Sequence, residues 1–311
     1  MYFTSTEQDT EMDQVIDRLK KWGACREDVR AILLTSSRAS PNAKVDAFSD
    51  YDVILVVTNI SDYYEDKTWL SDFGPTLVVY HDPLRKKYGS DCFSEITQYA
   101  TGLKIDFNVY PKEVLTRIAA APALPDELDV GYAVLLDKDG LTAGLRPATY
   151  RAHIPQPPTQ SSYLTLVENF FHEATYVAKH LWRGDMLAAK YNLDYAMKYL
   201  NLQRMMVWRF EIDHDWSVKP GSYGRGLQSK LSAERWRQFE STYVGLGIDE
   251  NWDAFFRTVE LFRDVAAEVG EHLGYPYPQD LDRRCLDYLR RVRSLDSDAT
   301  AFVGQGPPQP V

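Results

Sequence analysis

The stretch LLTSSRASPNAKVDAFSDYDVILVV, residues 33–57, decides the fold of this chain. It contains an apolar run, a small polar turn, an irregular loop and two aspartates that lead into a second apolar run. The second run, residues 53–57, is rich in β-branched side chains and is typical of a buried strand. Because side chains alternate faces along a strand, Asp50 and Asp52 point the same way and Tyr51 points oppositely. The sequence therefore predicts a pair of carboxylates on one face, at the start of a buried strand.

Two carboxylates held this close need a compensating cation. Like charges repel each other and raise each other's pKa unless a cation lies between them. Mg²⁺ prefers oxygen ligands and binds readily to a few carboxylates together with substrate phosphates. An isolated Asp-x-Asp before a strand is, however, more often a solvated loop at a sheet edge. The pair alone therefore does not establish a metal site.

Two further features favour phosphate chemistry. Ser36, Ser37 and Arg38 follow the first apolar run, at a strand-to-turn junction that offers hydroxyl and N–H groups to a phosphate. Asp106 lies in a later alternating segment, residues 103–109. Three carboxylates on strands match what two-metal phosphoryl transfer requires, since both the attacking and the leaving oxygen need charge compensation.

Length and charge narrow the class of protein. The chain has 311 residues, enough for two modest domains that each bury a core. Its 35 basic and 45 acidic residues give a net charge of −10. This balance disfavours non-specific nucleic-acid binding, whose affinity comes from phosphate neutralisation. It is compatible with a cationic small-molecule substrate.

The cysteines and the terminal residues indicate a cellular compartment. Cys25, Cys92 and Cys285 form neither a disulfide framework nor a zinc-ligand spacing, which favours a reducing environment. The N-terminal residues are acidic and lack an apolar signal core. No apolar stretch reaches the length of a bilayer span. We therefore expect a cytoplasmic protein without a membrane partner.

The chain divides at a proline-rich segment, HIPQPP, at residues 153–158. Residues 1–152 alternate between strand and helix patterns, whereas residues 159–293 are helical throughout, and residues 294–311 form a tail for which we expect disorder. The predicted fold class is α+β, a mixed sheet with flanking helices followed by an all-α helical bundle. Hydrophobic patterns place its main elements as helices 10–21, 62–70 and 113–120, strands 31–35, 53–57, 76–80, 94–99 and 103–110, and further helices from 159 and over 187–210, 236–246, 252–273 and 281–292.

The order of these motifs resembles the nucleotidyltransferase fold of the DNA polymerase β type. More narrowly, the chain is similar to the aminoglycoside 6-adenylyltransferase (streptomycin adenylyltransferase) family. FSDYD at residues 48–52 matches the aspartate motif of that family, and KID at residues 104–106 matches its third carboxylate. Further short matches continue to YPYP at residues 275–278, so the resemblance covers almost the whole chain.

The resemblance implies an activity. Residues 1–152 would form the nucleotidyltransferase domain and residues 159–293 the acceptor-binding domain. The reaction would transfer AMP from ATP to a hydroxyl of an aminoglycoside, the 6-hydroxyl of streptomycin, and release pyrophosphate. Asp50, Asp52 and Asp106 would hold two Mg²⁺ ions, and Asp106 or Glu168 would take the proton of the attacking hydroxyl.

The resemblance also implies a set of nucleotide-binding residues, namely Ser36, Ser37, Arg38, Lys179, Arg204 and Arg225. Ser36 departs from the family, which has glycine there, and glycine serves where backbone approaches a ligand closely. Arg225 lies in a Gly-rich loop, residues 220–226, that resembles a lysine-containing loop of the family. A surface role for Lys179 and a packing role for Arg204 remain alternatives.

The acceptor region matches the family less closely. The family has Asn-Glu where this chain has Glu168-Asn169, and Asp-His where this chain has Asn192-Leu193 followed by Asp194. One residue along a helix turns a side chain by about 100°. Glu168 and Asp194 are the candidates to meet cationic groups of the acceptor.

Two other functions stay open at this stage. One is the same chemistry on another hydroxylated small molecule, such as a lincosamide or a metabolite. The other is nucleotide or drug binding without turnover. The oligomeric state is also open, and a monomer is compatible with the sequence.

Overall fold

The computed structural model describes residues 5–41 and 43–302, and for residues 5–13 it describes the helical backbone alone. Residues up to His153 form one compact unit, and residues from Ile154 form a second. The first unit combines a mixed sheet with helices, and the second is helical. The predicted α+β architecture is therefore confirmed. Within the described residues, no helix has both the length and the apolar character needed to span a membrane.

The first unit is built on one seven-stranded sheet. Its strand order is β3–β5–β6–β2–β1–β7, with the short β4 paired to β5. The neighbours β2 and β6 run parallel, and the other paired strands run antiparallel. The elements are β1 (Val29–Thr35), β2 (Tyr51–Val57), β3 (Thr76–His81), β4 (Arg85–Lys87), β5 (Ser90–Tyr99), β6 (Lys104–Pro111), β7 (Tyr132–Asp137), α1 (Ser5–Ala24), α2 (Ile60–Glu65), α3 (Lys112–Ala120), α4 (Asp126–Asp129) and the 3₁₀ turns Ser36–Ala39 and Thr68–Phe73.

The sheet has an apolar core on each face. One core joins alternate residues of β1, β2 and β6 to Leu19 of α1, Tyr63 of α2 and Trp69 of the following turn. The other core joins the intervening strand residues to Val114 of α3 and Leu128 of α4. Burial on both faces explains why residues 53–57 are continuously apolar. It also fixes the register of β2, because a slip of one residue would exchange its two faces.

The helix predicted over residues 62–70 is divided in two. Helix α2 ends at Glu65, and a 3₁₀ turn begins at Thr68. The carboxylate of Asp66 accepts a hydrogen bond from the backbone N–H of Thr68 at 2.9 Å. An aspartate that bonds to the backbone two residues ahead favours a turn over continued helix. The local side-chain bond therefore overrides the hydrophobic pattern here.

The second unit consists of helices packed around one core. They are α5 (Gln160–Arg183), α6 (Met186–Lys190), a π-helix (Tyr191–Leu202), α7 (Gln203–Ile212), α8 (Leu227–Lys230), α9 (Ala233–Glu240), α10 (Ile248–Leu273), α11 (Gln279–Arg293) and a 3₁₀ turn at Ser222–Gly224. Thr159 caps α5 as its position predicts, because its hydroxyl accepts the Ser162 N–H at 3.1 Å. Phe170 of α5 stacks on Phe262 of α10 with their ring centroids 3.6 Å apart.

Residues 294–302, part of the segment for which we expect disorder, make contacts with the helices. The Trp182 indole N–H donates to the Leu295 carbonyl at 3.1 Å, and Phe302 packs on Tyr288 with a centroid separation of 5.4 Å. These contacts hold residues 294–302 against α5 and α11. The rest of the predicted disordered tail, residues 303–311, lies outside the described residues.

Candidate active site

The parallel pairing of β2 and β6 brings two of the predicted carboxylates side by side. Asp52 and Asp106 are direct partners in this register. Side chains of paired residues lie on the same face, about 5 Å apart. Asp50 precedes Asp52 by two residues and lies on that face as well. The fold therefore places Asp50, Asp52 and Asp106 together on one face of the sheet.

A lysine that the sequence interpretation missed lies among these carboxylates. The ammonium of Lys104 is 2.7 Å from Asp50 Oδ2 and 2.8 Å from Asp106 Oδ2. The sequence does hold a signal for this position of Lys104. Lys104 and Asp106 are two residues apart on β6, and such residues share a face of the sheet. Burial works to lower the pKa of Lys104, but its hydrogen bonds to the two aspartates prevail, so its pKa is raised. Lys104 is therefore the counter-ion of this cluster.

Asp52 and Asp106 hold their protons more tightly than ordinary aspartates do. Burial, and after it the negative charges of Asp50 and Asp106, raises the pKa of Asp52 from 3.8 to about 6. Burial also raises the pKa of Asp106, although Lys104 opposes the rise. Asp106 Oδ1 is buried and has no hydrogen-bond partner among the described residues. Carboxylates with raised pKa values are typical of functional sites.

These residues fit a divalent cation in chemistry. Within residues 5–41 and 43–302, no group of three His, Cys, Asp or Glu side chains is arranged to hold a metal ion as it stands. The ammonium of Lys104 supplies the positive charge between Asp50 and Asp106 in this structure. Carboxylate oxygens are the ligands that Mg²⁺ prefers, and Asp106 Oδ1 lacks another partner. Metal binding by Asp50, Asp52 and Asp106 remains a prediction.

Ser36 has a left-handed backbone, with φ of 61°. Such a conformation is unfavourable for residues other than glycine. This explains why a serine is less favourable than glycine at position 36, where the family has glycine. Its hydroxyl makes a hydrogen bond to Asp52 that opposes the raised pKa of that carboxyl, which a glycine could not do. Ser36 therefore contacts a candidate metal ligand, and its predicted contact with phosphate is untested, as is that of Ser37 beside it.

A matched pair of variants separates these two properties of Ser36. Ser36→Gly and Ser36→Ala both remove the hydroxyl, but only glycine tolerates the positive φ. We expect Ser36→Gly to be the more stable of the two by about 1 kcal/mol. Chemical denaturation without divalent cations measures the difference. Equal stabilities would show that the backbone at residue 36 is not strained.

Arg38 is engaged with the chain itself. Its guanidinium donates to the carbonyl of Ser49 at 2.6 Å and to that of Asp50 at 3.1 Å. It also lies 3.9 Å from the centre of the Tyr51 ring. These contacts fix the segment that carries Asp50 into β2. The geometry gives Arg38 a positioning role, and nucleotide contact by Arg38 stays a prediction.

The other predicted nucleotide-binding residues belong to the second unit. Lys179 lies on α5, with its ammonium 4.3 Å from the centre of the Tyr176 ring. Arg204 is exposed on α7, and Arg225 is exposed after the 3₁₀ turn at Ser222–Gly224. Their predicted contacts with a nucleotide are untested.

The two predicted acceptor residues differ in their surroundings. Glu168 is exposed on α5. Asp194 is paired through one oxygen with Lys190 and through the other with Lys198, at 2.7 Å each. Its charge is therefore already compensated within its own helix. Of the two, Glu168 is the acid better placed to meet a cationic acceptor.

Comparisons with known proteins show which family the sequence matches. The sequence model of a family described as streptomycin adenylyltransferase matches residues 9–292. An aminoglycoside 6-adenylyltransferase from Bacillus subtilis is 29% identical over 86% of this chain and 92% of its own length. One from Campylobacter jejuni is 26% identical over 90% of this chain and 95% of its own length. The crystal structure of an aminoglycoside 6-adenyltransferase from Bacillus subtilis covers 89% of this chain and 97% of its own, with 26% identity and a TM-score of 0.45.

Proposed function

Because the chain belongs to the streptomycin adenylyltransferase family, we propose that it transfers AMP from ATP to a hydroxyl of an aminoglycoside. The acceptor of this proposal is streptomycin, modified at its 6-hydroxyl, and the reaction inactivates the antibiotic. The observation that carries the proposal is the register of β2 and β6, which pairs Asp52 with Asp106 beside Asp50. The names of the two relatives support the same class of reaction.

In the proposed reaction the acceptor oxygen attacks the α-phosphorus of ATP. The bond between the α-phosphorus and the bridging oxygen breaks, and pyrophosphate leaves. Asp50, Asp52 and Asp106 would hold Mg²⁺, which supplies charge compensation for the phosphate oxygens when it is bound. A cluster of three acidic residues would otherwise repel the triphosphate.

Asp106 is the proposed acceptor of the hydroxyl proton. It lies on the face shared with Asp50 and Asp52, and its Oδ1 has no competing hydrogen bond among the described residues. Asp52 is less suitable, because it already bonds to Ser36. Glu168 is the alternative base, and Glu168→Gln distinguishes the two: it should keep most of the turnover if Asp106 takes the proton and lose it if Glu168 does.

The remaining parts of the proposal concern binding. Ser37, at the turn after β1, would contact phosphate, and Arg38 would keep Asp50 in place. Cations of the second unit, Lys179, Arg204 and Arg225, would steady the triphosphate. The protein would act in the cytoplasm on a small molecule, without nucleic acid or membrane as a partner.

Pyrophosphate release measured with ATP, Mg²⁺ and a panel of acceptors tests this function. Release with streptomycin is the expected result. Release only with another hydroxylated compound, such as a lincosamide, would keep the chemistry and replace the acceptor. Binding of ATP without release for any acceptor would contradict the proposal. Glu168-Asn169, exchanged relative to the family, is the reason to include acceptors beyond streptomycin.

A further inference from the structure

The second unit carries a row of four tyrosine rings. Tyr191, Tyr195 and Tyr199 follow one another at every fourth residue of the π-helix, and Tyr223 continues the row from the Gly-rich loop. Successive ring centroids are 5.5, 5.7 and 6.4 Å apart. The last three rings are nearly parallel, with planes that differ by 15° and 19°. We call these four residues the tyrosine ladder.

The tyrosine ladder faces outward rather than into the core. Tyr191 is 62% exposed, Tyr195 46% and Tyr223 86%. No hydrogen bond from any of the four hydroxyls to another described residue is present. The rings and their hydroxyls are therefore available to a ligand. Large aromatic side chains aligned on a surface are unusual unless they bind something.

The Gly-rich loop is shaped to place Tyr223 at the end of the row. Gly224 has φ of +81°, and a Cβ there would lie 2.7 Å from the Gln203 side-chain amide at the start of α7. Tyr223 itself has a positive φ of 56°. Glycine thus allows the loop to approach α7 closely. This close approach sets the Tyr223 ring beside Tyr199.

The helix that carries the ladder is anchored from its other side. Lys198 is fully buried, and its ammonium bonds to Asp194 at 2.7 Å and to the Thr242 carbonyl at 2.5 Å. Lys190 pairs with the same aspartate at 2.7 Å and donates to the Val244 carbonyl at 3.0 Å. A binding surface held by such a network is preorganised. π-Helices are also rare and are frequently found at functional sites.

The surrounding charges decide which ligand fits. Exposed aromatic rows bind single-stranded nucleic acid where a positively charged groove accompanies them. Here Lys198 of the π-helix and Lys190 at the end of α6 are directed into Asp194 and backbone carbonyls, and the chain carries a net charge of −10. Aromatic rings also attract ammonium and guanidinium groups and pack on apolar ring faces. A cationic sugar is therefore favoured over a polyanion.

We propose that the tyrosine ladder is the docking surface for the aminoglycoside acceptor. Its rings pack against the saturated rings of the antibiotic and attract its cationic substituents, while the hydroxyls bond to its hydroxyl and ammonium groups. This inference rests on the proposed function for the identity of the ligand. It assigns acceptor binding to residues other than Glu168 and Asp194.

Variants of the ladder test the assignment by two separate readouts. Tyr195→Leu is expected to raise the KM for streptomycin about tenfold, and the double variant with Tyr199→Leu by about a hundredfold. The KM for ATP and kcat should stay within about twofold, because the ladder contacts the acceptor alone. Calorimetric titration with streptomycin in the absence of ATP should show the same loss of affinity. Tyr195→Phe, which keeps the ring, should retain most of the affinity.

Leu200→Ala is the control, since Leu200 is 39% exposed on the same helix but lies outside the ladder. It should leave both the KM and the affinity for streptomycin unchanged. If the double variant turns over with an unchanged KM for streptomycin, the ladder is not the docking surface. The proposed function would still stand. A second outcome would overturn the proposed function instead. In that outcome the wild type binds streptomycin but transfers no AMP to it, and the ladder variants lose the binding. A wild-type protein that binds no streptomycin, with or without ATP, would overturn the ladder as its docking surface and would replace the acceptor in the proposed function.

Discussion

Replacing Asp52 by asparagine is expected to abolish turnover and, at the same time, to make the metal-free protein more stable. Asparagine keeps the shape of the side chain but removes the negative charge, so one candidate metal ligand is lost. We expect kcat to fall by about a thousandfold or more, in the range for removing a group that acts directly on the reacting atoms. Steady-state pyrophosphate release measures this loss.

The gain in stability follows from the raised pKa of Asp52. Burial and two neighbouring carboxylates raise this pKa from 3.8 to about 6. Between these values the folded state holds a proton that the unfolded state has lost, so the wild-type free energy of unfolding falls as pH rises. Above about pH 6 the penalty is complete, and it amounts to about 2 kcal/mol when the partial exposure of the site is allowed for.

Denaturant unfolding at several pH values, with a chelator present, checks this prediction. Asp52→Asn should exceed the wild type in stability at about pH 7.5 and match it near pH 4, where the wild-type carboxyl is protonated. Added Mg²⁺ should stabilise the wild type and have less effect on the variant. Asp91→Asn, an exposed aspartate of β5, is the control and should leave turnover unchanged. A variant that keeps its turnover would remove Asp52 from the catalytic site.

Replacing Lys104 by methionine is expected to destabilise the metal-free protein by about 2 kcal/mol at neutral pH. Methionine fills a similar volume, but it leaves Asp50 and Asp106 without the ammonium that now lies 2.7 and 2.8 Å from them. The raised pKa of Lys104 places its stabilising effect below the pH at which the lysine deprotonates. The effect should also fade under acid conditions, where the two carboxyl groups are protonated.

Added Mg²⁺ should restore most of the stability of Lys104→Met. A divalent cation can take the place of the ammonium between the carboxylates, and it no longer competes with a lysine. Lys86→Met removes an ion pair of similar length, 2.9 Å to Asp91, from a site where both side chains are largely exposed. That control should lose at most about 0.5 kcal/mol. Equal stability of Lys104→Met and the wild type without Mg²⁺ would show that Lys104 is not the counter-ion.

Local sequence patterns predict the part of the site that lies on one strand. The apolar run at residues 53–57 is observed within β2 (Tyr51–Val57), and alternation alone places Asp50 and Asp52 on one face. The helix predicted over residues 113–120 is observed as Lys112–Ala120, because a strong amphipathic pattern defines it. These features depend on neighbours in the chain.

Contacts across the fold were beyond the local pattern. The partnership of Asp52 with Asp106 depends on which strands become neighbours and in what register, and the sequence supplied it only through the family resemblance. The role of Lys104 depends on a side chain that bridges two strands. The tyrosine ladder depends on a loop folding back toward the start of α7, so that the Tyr223 ring lies beside that of Tyr199.

The helix predicted over residues 187–210 shows a related limit. Helical segments follow one another without a break over this range, but residues Tyr191–Leu202 form a π-helix. At its end the Gln203 N–H donates to the Lys198 carbonyl, five residues earlier. Apolar residues at helical spacing predict a helix, but they do not specify whether its hydrogen bonds span four or five residues. The ion pair of buried Lys198 with Asp194 lies within this π-helical segment. No local sequence pattern predicts the π-helical winding.

The transfer of labelled AMP tests the central claim most directly. Streptomycin is incubated with the protein, Mg²⁺ and ATP labelled at the α-phosphorus, and the antibiotic is then separated and counted. The account predicts that the α-label moves to streptomycin with one pyrophosphate released per label transferred, and that Asp52→Asn transfers none. An α-label that stays with the nucleotide for every aminoglycoside would contradict it, as would a parallel assay in which ATP labelled at the γ-phosphorus passes its label to the antibiotic.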